Sequence, residues 1–343
     1  MKTPRSLTPD ILKGIAVILM IQVHITEQFA CADIYESFLG KISLFLGGPL
    51  VAPVFLAVMG YFTIASNKTT FQMIVRGLGI IGIGLLLNLC LNASLLFKIY
   101  SDEFQINPLN YIFGVDILFS AGIAIIIIAL LKQIFNSKFY LYLFIALIIA
   151  FIAPYLNGKG ICCPYLFAFI GGDFSWSYFP MFPWLAYPLA GAAFYVMKTN
   201  YEIRAISVKN RLILMGICML VFIPFFKEGF ETASVLSLYY HHGILFFGWC
   251  LSFIFFWVFL ISFITEIKQG NKYPIISFLA WTGKNVTLFY FIQWCIIGNA
   301  ASYILKSYGY IELIFSFIII TVLTSLLVFL IQKVRLIKIK KAA

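Results

Sequence analysis

The sequence predicts an all-α integral membrane protein, with about ten transmembrane helices and both termini in the cytoplasm. Three observations predict it. Apolar residues fill 62% of the 343 positions and charged residues only 11%. Soluble domains carry about 45–50% and 25%. The apolar residues come in runs close to the roughly 20 residues that a helix needs to cross the hydrocarbon core. These runs lack the ~10-residue alternation of a membrane barrel. A soluble globular enzyme and a disordered chain are excluded. The net charge of +11 does not call for nucleic acid, because the basic residues follow a membrane topology instead.

Polar and turn-rich breaks divide positions 1–343, read as one transmembrane domain, into ten stretches. The first runs from Asp10 to Ala30, the second from Pro49 to Ser66, the third from Gly77 to Phe97 and the fourth from Phe113 to Leu131. The fifth covers Phe139 to Leu156, and a loop rich in glycine with Cys162 and Cys163 follows it. The sixth covers Phe179 to Met197, the seventh Arg211 to Phe226 and the eighth Tyr239 to Thr265. The ninth is Asn285 to Ala300 and the tenth Glu312 to Gln332. The stretch Tyr273 to Thr282 is too short to cross and is expected in the membrane interface. The first apolar run exceeds a signal-peptide core, and no small-residue cleavage site follows it, so it is expected to remain in the mature chain.

Most of the 24 basic residues fall in one alternate set of loops, with Lys68, Arg76, Lys132, Lys138, Lys198 and Arg211 among them. The other set holds only Lys41, Lys98, Lys159, Lys227 and Lys306, together with Asp33, Glu36, Asp102, Glu103 and Asp173. Positive residues favour cytoplasmic loops, which places the first set and both termini inside. Some attraction to anionic membrane lipid adds to this. Of the seven cysteines, Cys90, Cys218, Cys250 and Cys295 read as small apolar residues inside spans. Cys162 or Cys163 could pair with Cys31, since all three lie on the outer side.

Few polar groups lie within the spans, and each needs a reason. His24 lies 14 residues after Asp10, about 21 Å further along a helix, in the outer half of the first span. Glu27 is on the same helical face and is expected to hold one ring nitrogen. Asp116 opens the fourth span, either as a functional carboxylate or as a charge on the helix N-terminus. His241 and His242 are adjacent and cannot share a face, so no two-histidine metal site is expected, and one of them is read as an acceptor-binding group. Asn88, Gln293 and Trp184 either line a carbohydrate pocket or join helices and form an aromatic belt.

The first span, with Arg5, Asp10, Lys13-Gly14 and then His24, resembles the opening span of the transmembrane acyltransferase superfamily. That superfamily includes acyltransferase 3 proteins and the heparan-α-glucosaminide N-acetyltransferase branch with its bacterial relatives. Pro53 to Phe62 is similar to the second-span pattern of the heparan branch. Arg76-Gly77, Gly84 to Asn88, Gly114-Val-Asp116, Phe182-Pro-Trp184 with Gly191, and Gly283-Lys-Asn285 leading to Tyr290 are also similar. The animal enzyme of that branch carries Asn where this chain has His24, with its histidine nearby.

The resemblance implies a multi-pass acyltransferase of the bacterial cytoplasmic (inner) membrane, and its relatives imply a homodimer. The donor is acyl-CoA, most simply acetyl-CoA, entering from the cytoplasm. The acceptor is a hydroxyl or amine of an extracytoplasmic sugar or glycolipid. His24 is expected as general base with Glu27 and Asp116 in support. Arg5, Asp10, Lys13, Arg76, Arg204 and Arg211 are expected to meet the donor, and Asn88, Trp184, His241, His242 and Gln293 the acceptor. The alternative is a transporter or lipid flippase, which composition alone suits equally. Inverted repeats and paired broken helices, the marks of many transporters, are not evident in the sequence.

Overall fold

A computed structural model of the chain describes residues 7–135, 137–156, 161–203, 207–267 and 273–342, with side chains other than those of 267 and 336–342. Among these residues there are helices and isolated bridges but no extended strand. In chain order the first helices are α1 (Thr8–Phe29), α2 (Ala32–Tyr35), α3 (Phe38–Gly47), α4 (Ala52–Ile64), α5 (Thr70–Leu91), α6 (Ala93–Tyr100) and α7 (Leu109–Ile112). Then come α8 (Ile117–Phe135), α9 (Phe139–Ile152), α10 (Pro164–Phe167), α11 (Met181–Trp184), α12 (Ala186–Asn200) and α13 (Val208–Phe222). The last are α14 (Phe226–Ser234), α15 (Leu236–Tyr240), α16 (Ile244–Ile267), α17 (Pro274–Lys284), α18 (Val286–Ile304) and α19 (Tyr310–Ala342).

All ten expected stretches contain a helix, but among the described residues fewer than ten helices are long enough to cross. Six candidate spans meet the length and hydropathy of a crossing helix, one of them formed by α3 and α4 together. Counting each of two bent pairs as one span brings the number to eight. The shortfall has a local cause. Pro154 ends α9 in a single 3-10 turn after 14 residues. Pro183 and Pro188 confine α12 to 15 residues. Proline lacks the amide donor and obstructs the preceding turn. The bend of 73° between α13 and α14 falls at Pro224, while that of 83° between α17 and α18 falls at Asn285. All seven cysteines are free thiols, so the pairing considered for Cys31 is not formed.

The sequence supplies the helix starts. Thr69 and Gln72 form a reciprocal capping box at α5, each side chain accepting the other's backbone amide. Ser37 accepts the Gly40 amide at the start of α3, and Ser207 accepts the Asn210 amide at the start of α13.

Helix α1 is central, packed by α3, α4, α16, α17, α18 and α19. Glycines permit the closest crossings. A Cβ on Gly14 would strike the Leu279 carbonyl of α17, and one on Gly283 would strike the Asp10 carbonyl of α1. Gly60 and Gly191 do the same between α4 and α12, against the carbonyls of Pro188 and Ala57. Without a hydrophobic force between helices in lipid, such backbone approach is a main source of association. Helix α17, expected in the interface, is thus seated against the opening turns of α1.

Replacing Gly191 by Val forces the α4–α12 crossing apart and should cost at least about 1–3 kcal/mol. At Gly79, by contrast, a Cβ would meet no atom within 4 Å. Gly79→Ala should therefore leave the thermal midpoint unchanged or slightly raised. Thermal denaturation followed by size-exclusion chromatography in detergent compares the two.

Candidate active site

The second half of α1, the end of α5, the segment before α8, α15 and the middle of α18 enclose a cavity of about 610 Å³. His24, Glu27, Asn88 and Asp116 line it, so four residues singled out from the sequence meet at one place. Tyr290 and Trp294 of α18 and Tyr239 and Tyr240 of α15 complete the wall around them.

The His24 ring lies against Trp294, with centroids 4.0 Å apart, and Tyr290 approaches edge-on at 6.4 Å. Its Nδ1 is 2.9 Å from Nε2 and 3.2 Å from Oε1 of Gln293. Among the described residues, no group hydrogen-bonds His24 Nε2. Glu27 was expected to hold this ring, but Gln293 occupies that place. The reason is geometric: Gln293 approaches from the facing helix, whereas Glu27 lies one turn further along α1.

Glu27 makes no hydrogen bond or ion pair among the described residues. Lys306 lies close enough to interact with it electrostatically, and the Lys306 ammonium stands 3.7 Å from the centroid of the Tyr35 ring. Burial lowers the Lys306 pKa from its usual value, and Glu27 and Glu36 partly offset the shift. The Tyr35 hydroxyl is pushed up to about 12 by burial, with Glu27 and Glu36 adding to it.

Asp116 serves two partners. Its Oδ1 accepts the Leu118 amide at 2.9 Å, capping α8, and its Oδ2 accepts the Tyr290 hydroxyl. The residue is thus a helix-terminal carboxylate, as one of its two readings has it, and it also lines the cavity. The segment around it is pinned from two sides. Asn88 Nδ2 donates to the carbonyls of Ile112 and Gly114, at 3.0 and 2.8 Å. Val115 pairs with the backbone of Trp176 and Phe179. Asn88 thus reaches the cavity mainly as a brace.

The other expected acceptor residues stand behind the wall. Trp184 is fully buried and donates its indole N–H to the Tyr240 carbonyl at 2.8 Å. His242 donates from Nδ1 to the Tyr239 carbonyl at 2.6 Å and accepts the Tyr187 hydroxyl at Nε2, at 2.8 Å. Both hold Tyr239 and Tyr240 in place, and neither lines the cavity. His241 is half-buried and also lies outside the lining.

The expected donor residues are scattered. Arg5 and Arg204 lie outside the described residues. Lys13 pairs with the buried carboxylate of Asp10 at 3.1 Å, and Arg211 pairs with Glu266 at 2.9 Å. Arg76 is exposed beside Lys68 in a separate surface depression. Arg76 precedes Asn88 by 12 residues, and Lys13 precedes His24 by 11, on α5 and α1. At helical rise, each cation lies about 16–18 Å from the cavity end of its helix.

Trp294 and Lys306 were not singled out from the sequence. A usable signal was present for the first: Tyr290, Gln293 and Trp294 fall at i, i+3 and i+4, one face of one helix. Lys306 carries no such pattern. Among the described residues, no group of three or more His, Cys, Asp or Glu is placed to hold a metal ion.

The family model described as heparan-alpha-glucosaminide N-acetyltransferase, catalytic, matches residues 5–218. No curated protein matches the chain.

Asn88→Ala removes both braces on the Ile112–Gly114 backbone. It should lower stability by about 1–3 kcal/mol. Hydrogen exchange in nanodiscs should show faster exchange at Val115 and Leu118. Unchanged exchange there would remove the bracing role.

Proposed function

The chain belongs to the heparan-α-glucosaminide N-acetyltransferase catalytic family, a family of acetyltransferases, and on that premise we propose that it transfers an acetyl group from acetyl-CoA to a hydroxyl or amine of an extracytoplasmic sugar or glycolipid, with His24 as general base. The observation that carries this reading is His24 itself. One ring nitrogen is engaged by Gln293, and the other has no protein partner among the described residues, at a cavity of about 610 Å³. That volume lies in the usual range of about 300–1,000 Å³ for small-molecule sites.

In the proposed reaction, Nε2 takes the proton from the acceptor O–H or N–H as that atom attacks the thioester carbonyl. A C–O or C–N bond forms and the C–S bond breaks. The imidazolium then returns the proton to the departing CoA thiolate, so His24 ends neutral, as it began. The face of Trp294 limits ring rotation during both transfers. Glu27 offers its carboxylate to the acceptor or to the imidazolium. Asp116 acts on the site through Tyr290.

The donor is proposed to enter from the cytoplasmic side. The positive-inside distribution and the position of Arg76 near the start of α5, with Lys68 just before that helix and both far from its cavity end, support this orientation. It places both termini in the cytoplasm and the cavity toward the outer side of a bacterial cytoplasmic membrane. A homodimer is proposed only on the likeness to heparan-type relatives.

Purified protein in nanodiscs should release free CoA thiol when given acetyl-CoA and an acceptor. Glucosamine-containing and hydroxyl-only acceptors, tested separately, divide N- from O-transfer. His24→Ala should elute as wild type and keep donor binding while losing at least about a hundredfold in turnover. Near-wild-type turnover would sink the assignment. Glu27→Gln should keep the fold and lower turnover less than His24→Ala does, with the loss read as kcat and acceptor KM.

A further inference from the structure

Gln293 is fully buried in the middle of α18. An amide side chain has two donors and two acceptor sites, so burying one demands a partner. Among the described residues its side chain has a single partner, Nδ1 of His24, which is 269 positions away in sequence. Trp294, the next residue, covers the face of the same imidazole. Adjacent residues of α18 therefore fix the ring in two ways: one by a ring contact tilted by 32°, the other through a hydrogen bond at Nδ1.

Both amide atoms of Gln293 are within reach of Nδ1, and the two choices have opposite chemical results. When the amide nitrogen donates, Nδ1 carries the lone pair and the proton sits on Nε2, which then cannot act as a base. When the amide oxygen accepts, the proton sits on Nδ1 and Nε2 turns a lone pair toward the cavity. A half-turn of the amide exchanges the two. The Glu27 carboxylate does not bond the ring, so it does not decide the matter.

We propose that Gln293 is the positioning residue of the site, accepting the Nδ1 proton of His24 through Oε1 and so setting the tautomer in which Nε2 faces the acceptor. This rests on the reading of His24 as base. Gln293 and Trp294 both lie beyond residues 5–218, the region that the family model matches. The role follows from how α18 meets α1, and it replaces the acceptor contact expected from sequence.

The chain has only three histidines, so nitrogen NMR of ¹⁵N-histidine protein in nanodiscs can report the His24 tautomer, assigned with His24→Asn. The wild type should show a protonated Nδ1 near neutral pH. Gln293→Leu should lose that preference and lower kcat by about tenfold or more, with both KM values nearly unchanged. Gln293→Glu keeps an oxygen acceptor and should restore the Nδ1 proton and most of the lost kcat. A wild-type His24 protonated on Nε2 would overturn the proposal. So would an unchanged tautomer and rate in Gln293→Leu. If that variant fails to fold, the wild-type tautomer and the Glu variant still decide. Full turnover by His24→Ala would instead defeat the base reading, whereas an inactive His24→Ala beside a fully active Gln293→Leu would defeat this proposal alone.

Discussion

The backbone contact between α1 and α17 sets the geometry on which the cavity depends. Gly14 faces the Leu279 carbonyl, with the Thr282 hydroxyl beside it, and Gly283 faces the Asp10 carbonyl with only backbone at the contact. Such a contact has almost no freedom to slide, because any shift drives one backbone into the other. The chain then turns by 83° at Asn285 and runs on as α18. That turn carries Tyr290, Gln293 and Trp294 along α1 to His24. The depth of the histidine relative to its partners is therefore decided about ten residues earlier, at a glycine pair with no chemistry of its own.

Much of the site was legible because the apolar background is so uniform. His24, Glu27, Asn88 and Asp116 stand out as isolated polar residues in apolar runs, and all four line one cavity. Trp184 and His242 stand out in the same way yet lie one layer back, with their polar atoms spent on Tyr240, Tyr239 and Tyr187. Periodicity reveals which face of a helix turns inward. It does not reveal whether that face meets a cavity or another side chain. The same limit separates Glu27 from Gln293: a neighbour on one's own helix can be counted from sequence, whereas a partner on α18 cannot.

The helices themselves followed the apolar pattern, and the differences come from particular breaks. Pro154, Pro183, Pro188 and Pro224 shorten or bend their helices as proline chemistry requires. Asn285 is different. It marks the sharper bend without a proline, stabilised by its own amide on the Trp281 carbonyl and by Gln332 of α19. Nothing in the local sequence distinguishes that asparagine from one that merely joins two helices. The family match ends at residue 218, yet α15 and α18 supply much of the cavity wall. The matched part of the chain brings His24, Glu27 and Asp116, and the remainder brings Gln293 and Trp294, which hold His24, and Tyr290, which holds Asp116.

The connection between α18 and α19 does more than join two helices. Lys306 and Tyr308 donate their backbone amides to the carbonyls of Gln28 and Phe29, and Cys31 returns a bond to Tyr308. These bonds satisfy carbonyls that the end of α1 would otherwise leave open. The same short piece of chain brings Lys306 to the cavity lining. It works as a clasp: the rim cation and the end of the histidine-bearing helix are sewn to one thread of backbone. Tugging α19 would therefore draw on both at once, so this long helix is mechanically geared to the cavity through its own N-terminal connection.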